Sequence, residues 1–337
     1  MNFQQFVQFR AETLASDPAV LDCGETNIWQ TLSHLVPSMT LESATYMHRC
    51  HLAELWLDTM SLPSDWKSRT MISCGVRHSL TLLLSEFAKQ PGTLVMPRDV
   101  YPVYGQIAES VGITVELFAT VPELQLPSSG RWLLIPNPLK PAGRWLTSVE
   151  VGLIQKWLNH DSARRVIIDA VYNFALTFHE STMQLVETQQ AYLLHSLSKA
   201  WLHPKIMGTC LIPIGDHNLA TVFRNNSPPQ SNLQIADFLL RHREDVPPAV
   251  DAELTEGRDR MQQRLPAKWQ SMLNSQETRV GYLTVIPVSS ATLLRESKIL
   301  SIPLTVFGSL HKDFAVLSSL PHEDSETVAQ RNCGDAG

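Results

Sequence analysis

The chain has 337 residues, of which 44% are hydrophobic and 18% are charged. Proteins of ordinary composition carry about 25% charged residues, so the shortfall indicates that part of the surface is covered, most simply by a second subunit. The formal net charge of −6 argues against a nucleic-acid-binding protein, because such a protein needs a basic face. The length allows one large domain, alone or with a smaller one.

Several common site types lack their motifs in this chain. Only 15 glycines are present, and neither G-x-G-x-x-G nor G-x-x-x-x-G-K-[ST] occurs, so dinucleotide and Walker-type nucleotide sites lose their main support. The five cysteines are scattered and include no C-x-x-C, which argues against a zinc site or a disulfide framework. We therefore expect no metal site.

The sequence also lacks targeting signals. Residues 1–6 show neither a basic region nor the apolar region that follows it in a signal peptide. No apolar stretch approaches the length of about 18 residues that a membrane span requires. We therefore expect a cytoplasmic protein that does not associate with a membrane.

Residues 1–65 are polar with helical patches, and from about residue 70 to 215 short apolar runs alternate with amphipathic stretches. The apolar runs are the predicted strands Thr93–Met96, Ile113–Phe118, Trp132–Ile135, Val166–Ile168, Tyr192–Leu194 and Cys210–Ile214. The predicted helices between them are Gly75–Phe87, Tyr104–Val111 and Val149–Asn159, the last preceded by a capping box of Thr147 and Glu150. This alternation predicts an α/β fold in which helices cover a mainly parallel sheet in three layers.

A different pattern follows the polar segment Arg224–Ser231, which we interpret as a loop or linker. Two helical stretches, near 231–243 and 252–274, precede strand-like runs at Val280–Pro287 and Ile299–Val306, and Pro266 interrupts the second helix. This predicts a smaller α+β domain. The expected organisation is an N-terminal arm belonging partly to the small domain, a large domain, the small domain and a flexible tail, at residues 1–45, 46–225, 226–325 and 326–337.

The residues that follow the predicted strands carry most of the chemistry. In open α/β sheets, ligands bind at the carboxyl ends of the strands, so these positions form the candidate site. They present an acid, a phenol, serine hydroxyls, lysines, an aromatic ring and a helix start: Asp169, Tyr172, Ser196, Ser198, Lys199, Asn137, Lys140, Tyr101 and Gly75. An aldehyde cofactor of the pyridoxal phosphate type needs such a set. It requires an amine for a Schiff base, an acid at its ring nitrogen, a phenol at its ring oxygen and a helix N-terminus for its phosphate.

The order of these residues resembles that in fold-type I pyridoxal-phosphate enzymes, specifically the class I/II aminotransferase branch. The resemblance runs from about Tyr46 to Ile214 and continues weakly beyond. The matching segments are Ser196–Ala200 (S-x-S-K-A), Asp169–Tyr172 (D-E-x-Y), Val100–Tyr104 (P-x-Y-P-x-Y), Gly75–Arg77 (the glycine-led helix start) and Tyr46 (Y-x-x-x-x-G). No single motif is specific, but their ordered series at strand ends is a much stronger signal.

The resemblance implies pyridoxal 5'-phosphate as the cofactor and a role for each matching residue. Lys199 would form the Schiff base, Asp169 would contact the pyridine nitrogen and Tyr172 the ring oxygen. The remaining residues would hold the cofactor: Tyr101 by stacking, Ser196, Ser198 and the amides of Gly75, Val76 and Arg77 at the phosphate, Asn137 and Lys140 beside the ring, and Tyr46 at the phosphate of a partner subunit.

Three positions depart from the family pattern. Lys140 stands where the family has an asparagine that contacts the ring oxygen and the substrate carboxylate. Met207 replaces an arginine that pairs with the phosphate, and Lys205 is the nearby cation expected to serve instead. No arginine occurs in residues 313–318, where Val316 takes the place of the arginine that forks onto the substrate carboxylate. The sequence therefore predicts a retained cofactor site and a rebuilt substrate site.

These observations predict a homodimeric enzyme that acts on an amino acid or amine, with transamination as the reaction that the resemblance implies. The departures leave open an elimination, cyclisation or decarboxylation of an unusual amino acid in a specialised biosynthetic pathway. A non-catalytic member of the family is a third interpretation.

Overall fold

The computed structural model describes residues 1–38, 46–100, 102–274 and 280–320. The helices are α1 Phe3–Ser16, α2 Ile28–Leu32, α3 Arg49–Thr59, α4 Val76–Phe87, α5 Val103–Val111, α6 Ser148–Asn159, α7 Glu180–Val186, α8 His217–Asn225, α9 Gln230–Arg241, α10 Val246–Arg264, α11 Ala267–Asn274 and α12 Ser290–Ser297. The strands are β1 Leu21–Cys23, β2 Thr70–Ser73, β3 Thr93–Pro97, β4 Thr114–Phe118, β5 Trp132–Pro136, β6 Arg165–Asp169, β7 Ala191–Ser196, β8 Gly208–Leu211, β9 Leu283–Ile286, β10 Ile299–Pro303 and β11 Ala315–Ser318. The described tail ends at residue 320, so the predicted flexible segment 326–337 lies outside the described residues.

A seven-stranded sheet forms the centre of the molecule, with the strand order β2-β8-β7-β6-β5-β3-β4. Strands β3 to β7 are parallel to one another, whereas β8 runs antiparallel to both β7 and β2. The predicted mainly parallel α/β sheet is therefore confirmed.

Alternate residues of the central strands belong to two separate apolar cores. Leu133 and Ile168 pack in one core, and their chain neighbours Leu134 and Ile167 pack in the other. Because side chains alternate between the two faces of a strand, both faces of this sheet are covered. This accounts for the continuous apolar runs of the sequence and gives the three layers.

A second, four-stranded sheet has the order β1-β10-β11-β9. The N-terminal strand β1 pairs in parallel with β10, with Leu21 opposite Ile299, so the two ends of the described chain share this sheet. The domain boundaries at residues 46 and 226 stay predictions. Within the described residues, the helices include none with the length and apolar character that crossing a membrane requires.

The structure corrects several predicted elements in the C-terminal part of the large sheet and beyond. The run Cys210–Ile214 contributes a strand only as far as Leu211, because Pro213 has no N–H to donate and Ile214 is exposed. The second helical stretch begins earlier than predicted, at Val246, because prolines are tolerated in a first helical turn, where N–H groups have no helical partner. Strands β1, β2 and β11 were not predicted, since runs of three or four residues carry little periodicity.

The loop after β5, which carries Lys140, is held against the small sheet at Gly143. Gly143 has φ 69°, and a Cβ atom at this position would lie 1.8 Å from the carbonyl oxygen of Leu283 on β9. The Val280 N–H donates to the Gly143 carbonyl at 3.0 Å. Only glycine allows both the left-handed conformation and this close backbone approach.

We expect Gly143→Ala to lower the midpoint of thermal unfolding by about 6 °C or more, because it adds backbone overlap to left-handed strain. The matched control is Gly112→Ala. Gly112 has φ 72°, but a Cβ there would meet no described atom within 4 Å. The control should therefore lose only about 2–4 °C, the effect of about 1 kcal/mol of strain. Equal losses in the two variants would show that the contact with Leu283 does not constrain the loop.

Candidate active site

The carboxylate of Asp169 lies buried at the end of β6 and accepts two hydrogen bonds. The Tyr104 hydroxyl donates to Oδ2 at 2.6 Å, and the Val171 N–H donates to Oδ1 at 3.0 Å. Burial raises the pKa of Asp169 above its ordinary value, while these two donors oppose the rise. Burial and the neighbouring Asp169 raise the pKa of the Tyr104 phenol well above its usual range. Asp169 is therefore a fixed carboxylate that a bound cation would stabilise.

Tyr104 is a site residue to which the sequence analysis gave no role. It lies near the start of α5, and its contact with Asp169 spans 65 positions of the chain. The available signal was its place beside the carboxyl end of β3, at the edge of the sheet where Asp169 also emerges.

Two lysine amines lie over the ring of Tyr172, which follows β6. The Nζ atom of Lys140 is 3.9 Å from the ring centroid, and that of Lys199 is 5.4 Å from it. Lys140 also donates a hydrogen bond to the Tyr172 hydroxyl. Burial lowers the pKa of Lys140 well below its ordinary value; Lys199 and Arg77 add to the decrease, and Asp169 opposes it. The predicted residues Lys140, Lys199, Asp169 and Tyr172 are thus brought together.

The start of α4 faces open space at the same edge of the sheet. Gly75 has φ 122°, and apart from its chain neighbours a Cβ atom there would meet no described atom within 4 Å. No described side chain caps this helix start. The amides of Val76 and Arg77 therefore begin the helix beside unfilled space, an arrangement suited to an anion.

The strand β8 brings the serines of the site toward this helix start. Its first residue, Gly208, lies opposite Ser196 of β7 on one side and Ser73 of β2 on the other. A Cβ atom on Gly208 would lie 2.5 Å from the Cα of Gly75, so the close approach requires glycine. Ser196 Oγ accepts from the Ser198 N–H at 3.3 Å and donates to the Ser198 hydroxyl at 3.0 Å. Sequence reasoning missed Gly208.

Asn137 follows β5 and its backbone N–H donates to the Asp169 carbonyl at 3.0 Å, but its side chain is bonded away from this group. Asn137 is buried, and its amide donates to the hydroxyls of Ser181 and Thr182 at 2.9 and 2.8 Å and accepts from Leu146 N–H at 3.0 Å. These hydrogen bonds engage the side-chain amide of Asn137 and hold the loop that carries Lys140 in place. Lys205 is exposed, Tyr46 is 74% exposed, and Tyr101 lies outside the described residues.

No family model matches the chain, and no curated protein matches it. Solved structures do match over nearly the whole length. An aspartate aminotransferase from Thermotoga maritima superposes with a TM-score of 0.67 at 15% identity, over 99% of this chain and 96% of its own. An aminotransferase from Helicobacter pylori gives 0.66 at 16% identity, over 97% and 96%. The chain has the aminotransferase fold.

The aminotransferase fold also carries other reactions. An L-threonine-O-3-phosphate decarboxylase from Porphyromonas gingivalis matches with a TM-score of 0.59 at 14% identity, over 94% of this chain and 98% of its own. The predicted fold is confirmed by these likenesses. Because one fold hosts several chemistries, the reaction depends on the site residues and not on the fold alone.

The burial of Asp169 predicts a stability effect that depends on pH. The folded-state pKa of Asp169 lies above the ordinary value of 3.8, so the ionised carboxylate destabilises the folded state. This destabilisation disappears as the pH falls through the folded-state pKa toward 3.8. We expect ligand-free Asp169→Asn to melt at least about 2 °C higher than the parent protein at pH 7. The gain should shrink as the pH is lowered toward 4.

Asp216→Asn is the matched control for this measurement. Asp216 also accepts from a tyrosine hydroxyl, that of Tyr192 at 2.7 Å, and from a backbone amide, that of Leu219 at 3.3 Å, but it is partly exposed. We expect no gain from it at pH 7. A stability of Asp169→Asn that equals or falls below that of the parent at every pH would contradict the assigned cost of burial.

Proposed function

We propose that this protein is a pyridoxal-phosphate-dependent enzyme that acts on an amino acid or amine through Lys199, with transamination as its reaction. The observation that carries the proposal is one cluster at the carboxyl edge of the sheet. It combines the amine of Lys199, the buried carboxylate of Asp169 and the phenol of Tyr172 beside the open start of α4. The aminotransferase fold of the chain supports this proposal.

The residues fit this cofactor at its ring nitrogen, its phosphate and its aldehyde. Pyridoxal phosphate, when bound, supplies an aldehyde that combines with amines and a ring that accepts electrons from the substrate carbon. Asp169 would hold the protonated ring nitrogen, and the start of α4 at Gly75 with Ser196 and Ser198 would hold the phosphate. Lys199 would hold the aldehyde carbon.

The surroundings of Asp169 suit it to this role. A carboxylate whose pKa is raised by burial gains most from a nearby cation, so the carboxylate and a ring N–H⁺ stabilise each other's charge. Tyr104 and the Val171 amide fix the orientation of its two oxygens. Lys199, once displaced by the substrate amine, would carry the proton to and from the substrate carbon.

The phosphate would be bound without the arginine that the family has at the position of Met207. Met207 is buried and uncharged at that position, and Lys205 is exposed. Arg77, at the second residue of α4, acts electrostatically on Lys140 and therefore lies within range of the site. We propose that the guanidinium of Arg77 supplies the positive charge that pairs with the phosphate, in addition to the hydrogen bond from its backbone amide.

A second copy of the chain would complete the site. Tyr46, 74% exposed, precedes α3 and follows the undescribed segment 39–45. An exposed tyrosine of this size is typical of an interface. In a homodimer, it would contact the phosphate in the partner subunit.

The purified protein should be yellow or become yellow with pyridoxal phosphate, and Lys199→Ala should abolish covalent attachment of the cofactor. Borohydride trapping followed by peptide mass spectrometry measures this, with modification expected at Lys199 alone. Lys156→Ala, which removes an exposed lysine on α6, is the control and should trap the cofactor normally. A colourless protein that takes up no added cofactor would favour the non-catalytic interpretation and refute the proposal.

A second candidate reaction class is elimination, cyclisation or decarboxylation. The specific observation in its favour is the substrate side of the site: Val316 is buried within β11, and residues 313–318 contain no arginine to fork onto a carboxylate. A lysine amine with a lowered pKa, Lys140, stands beside the ring of Tyr172 instead. The fold-sharing decarboxylase shows that this fold accommodates such a reaction.

Single-turnover reactions with a panel of amino acids separate the two classes. Transamination predicts stoichiometric conversion of the cofactor to pyridoxamine phosphate together with a keto acid, both measurable by chromatography. Product release or carbon dioxide formation with the cofactor recovered as the aldehyde would instead assign the lyase or decarboxylase class.

A further inference from the structure

A chain of polar contacts runs from the site toward the small sheet. Lys140 Nζ contacts the Tyr172 hydroxyl, which lies 3.2 Å from the hydroxyl of Tyr282. The Tyr282 hydroxyl donates to the backbone carbonyl of Thr26 at 3.0 Å. Tyr282 precedes β9, and Thr26 follows β1, so both belong to the four-stranded sheet's side of the molecule.

The last acceptor, the Thr26 carbonyl, determines the direction of every hydrogen bond in this series of contacts. A carbonyl oxygen cannot donate, and each tyrosine hydroxyl carries one proton. If Tyr282 donated its proton to Tyr172, the Tyr282 and Thr26 oxygen atoms would face each other at 3.0 Å in a partly buried place without a proton between them. All three contacts are hydrogen bonds only when Lys140 donates to Tyr172, Tyr172 to Tyr282, and Tyr282 to Thr26.

We propose that Tyr172 donates its phenol proton to the Tyr282 hydroxyl. Tyr172 then faces the active site as a hydrogen-bond acceptor, and Lys140 is the hydrogen-bond donor beside it. Tyr282 is then a positioning residue for the site. The ring oxygen of the cofactor would accept from Lys140 and not from Tyr172. This contact with the cofactor rests on the proposed function, whereas the direction of the three hydrogen bonds is a property of the protein alone.

The electrostatic surroundings of Lys140 make this arrangement measurable. Lys199 and Arg77 disfavour its protonated form, and Asp169 favours it. An accepting Tyr172 also favours the protonated amine, whereas a donating Tyr172 would favour the neutral amine. The sign of the pKa change after removal of the hydroxyl therefore reveals the direction of the bond.

The experiment is NMR titration of the protein carrying lysine labelled with ¹³C at Cε. The sequence contains nine lysines, and Lys140→Arg assigns the Lys140 signal. We expect Tyr172→Phe to lower the pKa of Lys140 by about one unit, the size of one hydrogen bond to a charged group. Tyr282→Phe should also lower it, because Tyr172 is then free to donate to the amine. Tyr192→Phe, which removes a hydroxyl bonded to Asp216 elsewhere in the fold, should leave it unchanged.

A rise in the pKa of Lys140 in Tyr172→Phe, or no change in Tyr282→Phe, overturns the proposal. Circular dichroism establishes that each variant is folded. If Tyr282→Phe fails to fold, the sign of the change in Tyr172→Phe still decides.

Cofactor binding supplies an independent readout. Lys140→Met should weaken the binding of pyridoxal phosphate about tenfold more than the binding of its analogue lacking the ring hydroxyl. An equal loss for the two compounds would show that Lys140 does not donate to the ring oxygen, which overturns the assignment. Failure of the parent protein to bind either compound would refute the proposed function while leaving the NMR result on the protein intact.

Discussion

The ionised carboxylate of Asp169 is the constraint on which the site depends. A buried charge is costly unless it is bonded and paired, and here two fixed donors supply bonds while the lysines supply positive potential nearby. Asp169 must therefore stay at the end of β6, within reach of α5 and of the loop after β5. The parallel order of β3, β5 and β6 provides this, because it brings their carboxyl ends to one edge.

Positive charge is distributed around this carboxylate in an unusual way. Lys140 and Lys199 share the ring of Tyr172, and Lys199 disfavours a proton on the Lys140 amine. A neutral amine is the form that attacks an aldehyde or accepts a proton. The lysine in the Asn137–Gly143 loop therefore changes the electrostatics of the site, in addition to replacing one contact.

Local sequence patterns predicted the features that depend on neighbouring residues. The capping box of Thr147 and Glu150 and helix α6 are confirmed, since both partners lie within one helical turn. Asp169 and Lys199 were found in a similar way, because each closely follows a local apolar run that predicts a strand. Contacts across 65 or 110 positions, such as Tyr104 with Asp169 and Tyr172 with Tyr282, depend on which strands are neighbours and were not predictable from spacing. Gly208 belongs with them, because its need for glycine arises only when β8 meets α4.

The small sheet's side of the molecule meets the candidate site through hydrogen bonds as well as by packing. The loop carrying Lys140 is held at Gly143 against Leu283, the residue after Tyr282. The same few residues of the small sheet's side thus fix the position of the Lys140 amine and the proton of the phenol beneath it. Any movement of that segment relative to the large sheet would alter both together. Thr26, the terminal acceptor, lies on the segment that follows β1, so the N-terminal part of the chain also takes part in fixing the direction of these hydrogen bonds.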